Sequence, residues 1–471
     1  MIETKLGDAF CVLPFKHMQI GNNGFVRLCC QTPWLKDDAG KPITVYEHSA
    51  AEIWNSKAMR EIRRAMIEGK QVTECSKCWQ QELHGGFSGR MSANANANAN
   101  ANIVGGLKEK LLNLLKQSIN PLQEIKLEAV RENFFVHSSP VDIELEVGNV
   151  CNLMCRMCSP TYSSKIEHDP VHSKWHNSLS ADSSQEKLKP NVYPLSRLPE
   201  KKHWFKEKAF IYKELLSQPK SIRVITFKGG EPFLSKEAVG ILDYLSTEGD
   251  PRKTQVAIVT NGTIADSNLL NIISRFDSVH IAVSLDGVGS YYEYIRYPAK
   301  WSTVEANLRT FAELSNVLLM TSITFQAYNA MQIVKLFRFC DRFGYEINVN
   351  ALDYPSYLAA SVIPPKARQM AVKRIRDYVA TDCKQKNQAT ISALASGLEA
   401  LGDQIDMENL NKFMLFTNDL DQSRNQHFSE VQAELLGYIE EAGIPWNEET
   451  RFARQDPLTP VLNSTLTMTE V

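Results

Sequence analysis

CNLMCRMCSP, residues 151–160, sets three cysteines within eight positions at the spacing C-x-x-x-C-x-x-C. In a reducing compartment such a group serves as a zinc site, a redox-active thiol set or an iron–sulfur anchor. Zinc needs a fourth ligand, which His168 or His172 offers. A 4Fe–4S cube takes one thiolate per iron, so three thiolates leave one iron open. The flanking sequence decides between these readings.

VDIELEV (141–147) runs directly into the cysteines and alternates like a strand. Five more apolar, β-branched runs follow: 222–227, 256–260, 279–285, 317–325 and 345–352. Between them KEAVGILDYL, SNLLNIISRF, VEANLRTFAEL and AMQIVKLFRFCDRFG have helical spacing. This alternation predicts an α/β fold, a partial (β/α)6 parallel barrel over 138–360. The cysteines then lie past the C-terminal end of the first strand, on the face where parallel barrels carry their active sites. The next strand ends in Gly229-Gly230-Glu231-Pro232, the third in Thr260-Asn261-Gly262-Thr263 and the fourth in Ser284-Leu285-Asp286-Gly287.

Cys151, Cys155 and Cys158, followed by GGEP one strand later and SLDG after the fourth, resemble the radical SAM superfamily over roughly 140–355. The resemblance implies a 4Fe–4S cluster whose open iron is chelated by S-adenosylmethionine. An electron from the cluster then breaks a sulfonium C–S bond. The resulting 5′-deoxyadenosyl radical takes hydrogen from a substrate, and the protein orients the parts. It implies further that Gly229, Gly230 and Glu231 serve the amino group of SAM. Ser284 and Asp286 are its expected contacts to ribose or methionine carboxylate, with Asn261 lining the same pocket. No catalytic acid or base is assigned. An electron donor such as flavodoxin or ferredoxin is expected as a partner. The long interval between Cys158 and Gly229 departs from the family pattern, and the polar, Lys-rich insertion 160–208 accounts for it. That insertion reads as a lid, a partner surface or a solvated excursion.

The bulk properties agree with a globular protein of two or three domains: 471 residues, 43% hydrophobic, 23% charged. A net charge of -2 gives no global basic field, so nonspecific nucleic-acid binding is not its main expected role. The sequence has neither a signal-peptide-length apolar run nor a membrane-spanning one, and a cytoplasmic location is expected. Strict Ala/Asn alternation at 93–102 lacks apolar bulk and reads as a linker, or else a short polar helix. A leucine-patterned helix is expected at 107–117, so 93–137 is assigned to linker and helix. Residues 361–471 read as a helical C-terminal region.

A second cysteine group lies in the first 92 residues: Cys11, Cys29, Cys30, and then Cys75 and Cys78 in C-x-x-C spacing. Cys11, the Gly24-to-Cys29 step, Ile53-Trp54-Asn55 as a helix start and the Cys75–Cys78 pair resemble the twitch/SPASM class of auxiliary-cluster modules. The resemblance implies a second 4Fe–4S cluster held by Cys11, Cys29, Cys75 and Cys78, with Cys30 the alternative to Cys29. In most relatives such a module follows the core; here it precedes it. Structural zinc uses the same four-cysteine set and stays open as an alternative. His17 is a candidate proton donor or partner of the cluster ligands, or else a packed residue; His84 stands alike, and Arg90 faces either substrate or solvent.

A peptide or protein is the first expected substrate, because many relatives with such modules oxidise or cross-link peptides. A small metabolite, nucleotide or sugar is the alternative. A non-catalytic iron–sulfur or zinc scaffold would not need the open-iron spacing together with GGEP. A methyl-transferring enzyme would be expected to carry a cobalamin module, and none is evident.

Overall fold

The computed structural model describes residues 9–83, 88–95, 129–180 and 203–453. His84, the later part of the Ala/Asn run, the 107–117 stretch and the middle of the 160–208 insertion lie outside the described residues.

The organising element is an 8-stranded sheet of order β2-β1-β3-β4-β5-β6-β7-β8. The strands are β1 (His17–Ile20), β2 (Val26–Arg27), β3 (Asp142–Glu146), β4 (Val224–Lys228), β5 (Gln255–Thr260), β6 (Ser278–Ser284), β7 (Val317–Phe325) and β8 (Glu346–Ala351). From β3 to β8 every neighbour is parallel, and the strands fall within two residues of the expected runs. The sheet stays open, with β2 at one edge and β8 at the other, which makes it a partial barrel. Crossover helices follow β4, β5, β6 and β7. Two begin where a side chain caps them: Ser235 Oγ accepts from the Ala238 amide, and Asp266 Oδ1 from that of Leu269. Ile143, Leu145, Ile225, Phe227, Ile281 and Val283, from one alternate register, are fully buried in the main core.

The N-terminal module is not detached. Its β1 pairs in parallel with β3, matching His17 to Asp142 and Ile20 to Leu145, while β2 turns back antiparallel on β1. A hydrogen bond and an ion pair fasten the seam: His17 Nδ1 lies 2.9 Å from Asp142 Oδ1, and Arg27 Nη2 lies 2.9 Å from Glu146 Oε1. Between the two cysteine pairs lie two helices, Ala50–Trp54 and Lys57–Ile67. Ile53-Trp54-Asn55 therefore closes a helix rather than opening one. The break at Asn55 has a cause. The Asn55 carboxamide bonds both polar backbone groups of Val136, and its oxygen also accepts from buried Arg63. Arg63 donates further to the carbonyls of Pro14, Trp54 and Phe134, locking the Cys11 loop onto these helices.

The insertion is no solvated excursion at its described ends. Trp175 and Trp204 are buried; Trp175 Nε1 donates to Asp419 Oδ2 at 2.7 Å and Trp204 Nε1 to the Gly21 carbonyl at 2.8 Å. The insertion thereby touches both the C-terminal helix Met407–Arg424 and the N-terminal hairpin. The C-terminal region is helical as expected, although FSEVQAELLGYIEEAG divides at Gln432 into two helices.

Candidate cluster and cofactor sites

The cysteine loop leaves β3 through Gly148 and is held from three sides. Its backbone amides at Met154 and Arg156 donate to the carbonyls of Tyr297 and Ile295 at 2.6 and 2.9 Å. Ser163 Oγ bonds the Leu153 carbonyl at 2.7 Å. Arg156, fully buried between Cys155 and Cys158, donates to Asp421, Gln426 and the Tyr294 carbonyl and stacks on the Tyr294 ring at 3.7 Å. The loop is thus pinned by the C-terminal helix, a connection between residues 265 positions apart.

Cys151 and Cys158 are partly exposed and Cys155 is buried. Burial raises all three thiols, Cys151 to about 12; Cys155 adds to the effect on Cys151, and both add to that on Cys158. Nitrogen donors face the sulfurs. The Leu153 amide lies 3.4 Å and Asn261 Nδ2 3.9 Å from Cys151 Sγ, and Arg296 Nη1 lies 3.7 Å from Cys155 Sγ. Such bonds suit a cluster's thiolates and help to set its potential.

The strand ends brace this loop. Gly230 is a glycine for a steric reason: a Cβ there would stand 2.3 Å from the Val150 carbonyl oxygen. Gly229 has φ 119° and its Cβ would meet the Gly148 oxygen at 2.9 Å. The two glycines therefore let the end of β4 approach the backbone of the cysteine loop, where the sequence suggested approach to a ligand. Gly230→Ala is expected to cost about 1–3 kcal/mol through forced backbone displacement, read as a lower denaturation midpoint. Glu231 also turns inward. It accepts from Thr260 Oγ1, the Asn261 amide and the Phe233 amide, and burial pushes its carboxyl up to about 7. Asn261 bonds Asn152 at 2.9 Å besides facing Cys151. Asp286 is fully buried and committed to Arg296, at 2.7 Å, and to the Thr324 amide. Ser284 stays half-exposed at the end of β6. Glu231 and Asp286 thus fix the rim, and Ser284 is the one left open toward it.

Arg296 and Arg424 were not legible as site residues. Arg296 follows SLDG by nine positions in an unremarkable YEYIRYP stretch. Arg424 is buried, donates to His172 Nδ1 at 3.1 Å, and its charge reaches Cys155. This pairing takes His172 away from the cysteines, and His168 bonds its own helix at the Ser164 carbonyl.

In the N-terminal module, Cys11, Cys29, Cys75 and Cys78 converge. The electrostatic influence of each on the others covers every pair in the set. Desolvation, the largest cause, raises Cys11 to about 11 and Cys29 to about 12. Cys30 is exposed, and its charge acts on both Cys29 and Lys228. His17 is spent on Asp142. Arg90 bonds Glu82 and the Phe10 carbonyl and covers the Trp79 ring, which makes it a brace for the Cys11 loop. The start of the Ala/Asn run joins it: residues 93–95 are helical, and Asn94 bonds the Val12 amide and the Phe10 carbonyl.

Among the described residues, no three His, Cys, Asp or Glu groups close on a point as a single ion requires. A 4Fe–4S cube spaces its thiolates more widely. Buried, protonated thiols that exchange protons for iron, with N–H donors on their sulfurs, fit such a cluster. Also among the described residues, no helix is long and apolar enough to cross a membrane.

Residues 145–340 match the radical SAM superfamily, and residues 11–79 match SPASM, an iron–sulfur cluster-binding domain. Among solved structures the chain is similar to native anSMEcpe with bound AdoMet, at 16% identity, covering 52% of this chain and 61% of that one, with a TM-score of 0.33. It is similar to SuiB of Streptococcus suis bound to S-adenosylmethionine, at 13% identity, 58% of each chain and a TM-score of 0.34. The same enzyme bound to precursor peptide SuiA gives 12% identity, 65% and 59% coverage and a TM-score of 0.32. The chain thus covers less than two thirds of the length of these structures. No curated protein sequence matches it. The cofactors of the core are a 4Fe–4S cluster and SAM, and the N-terminal domain adds an auxiliary cluster. The chain thus carries a radical SAM domain preceded by an iron–sulfur cluster-binding SPASM domain.

Proposed function

We propose that this protein is a SAM-dependent radical enzyme that abstracts hydrogen from a peptide or protein substrate. Cys151, Cys155 and Cys158 hold the core cluster in this reading, and Cys11, Cys29, Cys75 and Cys78 hold the auxiliary one. The observation that carries the chemistry is the loop of three buried or half-buried thiols on the C-terminal rim, braced by Gly230, Asn261 and Arg296. When bound, the cluster and SAM supply the electron and the breakable C–S bond. The chain's own part is positional. Arg156 anchors the loop, Asn261 and Arg296 donate toward the sulfurs, and the Glu231 and Asp286 networks hold the strand ends at fixed spacing. Ser284 faces the rim as a contact for SAM. The pairing of this core with a SPASM domain supports the peptide reading; a small metabolite, nucleotide or sugar is the alternative. A flavodoxin or ferredoxin is the proposed electron donor and the cytoplasm the proposed compartment.

The test is anaerobic reconstitution followed by iron and sulfide counts and a 5′-deoxyadenosine assay against peptide and metabolite pools. About eight irons per chain are expected for two 4Fe–4S clusters. Cys75→Ala should hold about four irons, keep uncoupled SAM cleavage and lose turnover of the substrate. Unimpaired turnover by Cys75→Ala would remove the auxiliary cluster from the reaction. About four irons with one zinc would make the N-terminal site structural.

A further inference from the structure

The register of the sheet puts four polar side chains in one cross-strand row: Arg27, Gln19, Glu144 and Thr226. The row lies on the face opposite the Ile143 and Leu145 side chains, because alternate residues face opposite ways. Glu146 and Lys228 form the next row toward the rim. The charges in this patch are matched: Lys228 Nζ sits 2.8 Å from Glu144 Oε1, and Arg27 is paired with Glu146.

Gln19 is not matched. It is fully buried, at 0% exposure, yet neither its Nε2 nor its Oε1 has a hydrogen-bond partner. The adjoining Arg27 Nε is likewise buried and unmet. Buried polar groups are nearly always satisfied, and leaving both ends of a carboxamide bare is unfavourable. An apolar side chain of the same size would remove that cost, so the carboxamide implies a ligand.

The location is between the two cysteine groups. Arg27 lies two positions before Cys29, and Asn22, in the turn of the same hairpin, donates through Nδ2 to the carbonyl of Thr161, three positions beyond Cys158. A substrate placed between the two clusters would therefore pass this patch. The chemistry of the unmet groups is specific. They are an acceptor, Gln19 Oε1, beside two donors, Gln19 Nε2 and Arg27 Nε. In an extended peptide, the N–H and C=O of one residue project to the same side, as in a sheet pair. Such a residue satisfies both ends of the carboxamide at once.

We propose that Gln19, assisted by Arg27, is a recognition site for the backbone of an extended peptide substrate. The residue's N–H donates to Gln19 Oε1 and its carbonyl accepts from Gln19 Nε2 and Arg27 Nε. This rests on the peptide-substrate reading above and names a determinant for it in the N-terminal domain.

The test uses the full-length, anaerobically reconstituted protein and two probes, N-acetylglycine N-methylamide and its depsipeptide analogue with oxygen in place of the glycine N–H. Binding is read by saturation-transfer NMR, and stability by thermal melting of wild type and Gln19→Met. The diamide is expected to bind wild type at least about tenfold more tightly than either the depsipeptide or the Gln19→Met protein binds it. Gln19→Met is expected to melt higher, having lost two unmet groups. Equal binding of the two probes, no binding of the diamide, or a Gln19→Met protein that melts lower or fails to fold would overturn the site. Turnover separates the two readings. A peptide substrate converted equally by wild type and Gln19→Met leaves the peptide reading standing and removes the site. Diamide binding through Gln19, with SAM cleavage stimulated only by non-peptide compounds, removes the peptide reading alone.

Discussion

Cys155→Ala is expected to bring 5′-deoxyadenosine formation down to background while iron falls from about eight to about four per chain. Cys155 is the most enclosed of the three core thiols, with Arg296 at 3.7 Å and the Arg424 charge beyond it. Without its sulfur, two thiols remain for a cube that needs three from the chain. The variant also leaves Arg296 facing a void, so residual binding of iron by Cys151 and Cys158 would not restore the local charge balance. Cys340→Ala is the matched control. Cys340 is a buried thiol whose neighbour is Thr321 on β7, and its loss should leave iron and SAM cleavage unchanged. Persistent SAM cleavage by Cys155→Ala would mean that another residue supplies the third ligand.

The second large effect is on stability. Asp421→Ala should destabilise the protein by about 3–5 kcal/mol, because it leaves the buried Arg156 guanidinium without its carboxylate. Asp421 also accepts from the Tyr294 hydroxyl at 2.9 Å, so the same substitution frees the segment whose Ile295 and Tyr297 carbonyls hold the cysteine loop. Denaturant titration of the anaerobic protein measures the loss, and slower iron incorporation should accompany it. The double variant Arg156→Met with Asp421→Leu should recover much of the stability, since a buried pair replaced by apolar groups of similar volume is often neutral. If Asp421→Ala costs nothing, solvent or Gln426 already balances Arg156, and the C-terminal helix is not what secures the loop.

The barrel was legible because its signals are local. Runs such as VHIAVSL and VLLMTSITF announce buried parallel strands without reference to anything distant, and the cysteine spacing lies within one loop. The four auxiliary thiols that the resemblance groups lie near one another, and the C-x-x-C pair and the Gly-spaced cysteine that suggested them are short-range patterns. What escaped were pairings across long separations. HMQI is too short a run to declare a strand, so the joining of β1 to β3 went unseen and the module read as separate. The resemblance implied SAM contacts for Glu231 and Asp286. Their partners Thr260 and Arg296 are visible only once the strands are side by side. Ile53-Trp54-Asn55 looked like a helix start because the Asn55 bonds to Val136 depend on a residue 81 positions away.

The parallel pairing of β1 with β3 has a consequence for synthesis. His17 and Asp142 are 125 residues apart, so the hairpin leaves the ribosome long before the strand that completes it. A lone two-stranded ribbon is marginal in water, and contacts this distant form slowly. Until β3 arrives, β1 keeps an open edge, Arg27 lacks Glu146, and Trp54 lacks the Ser138 carbonyl that its indole bonds. The module that comes first in the chain is therefore among the later parts to become native, and a nascent chain halted before residue 142 should still be open to proteases across residues 10–80.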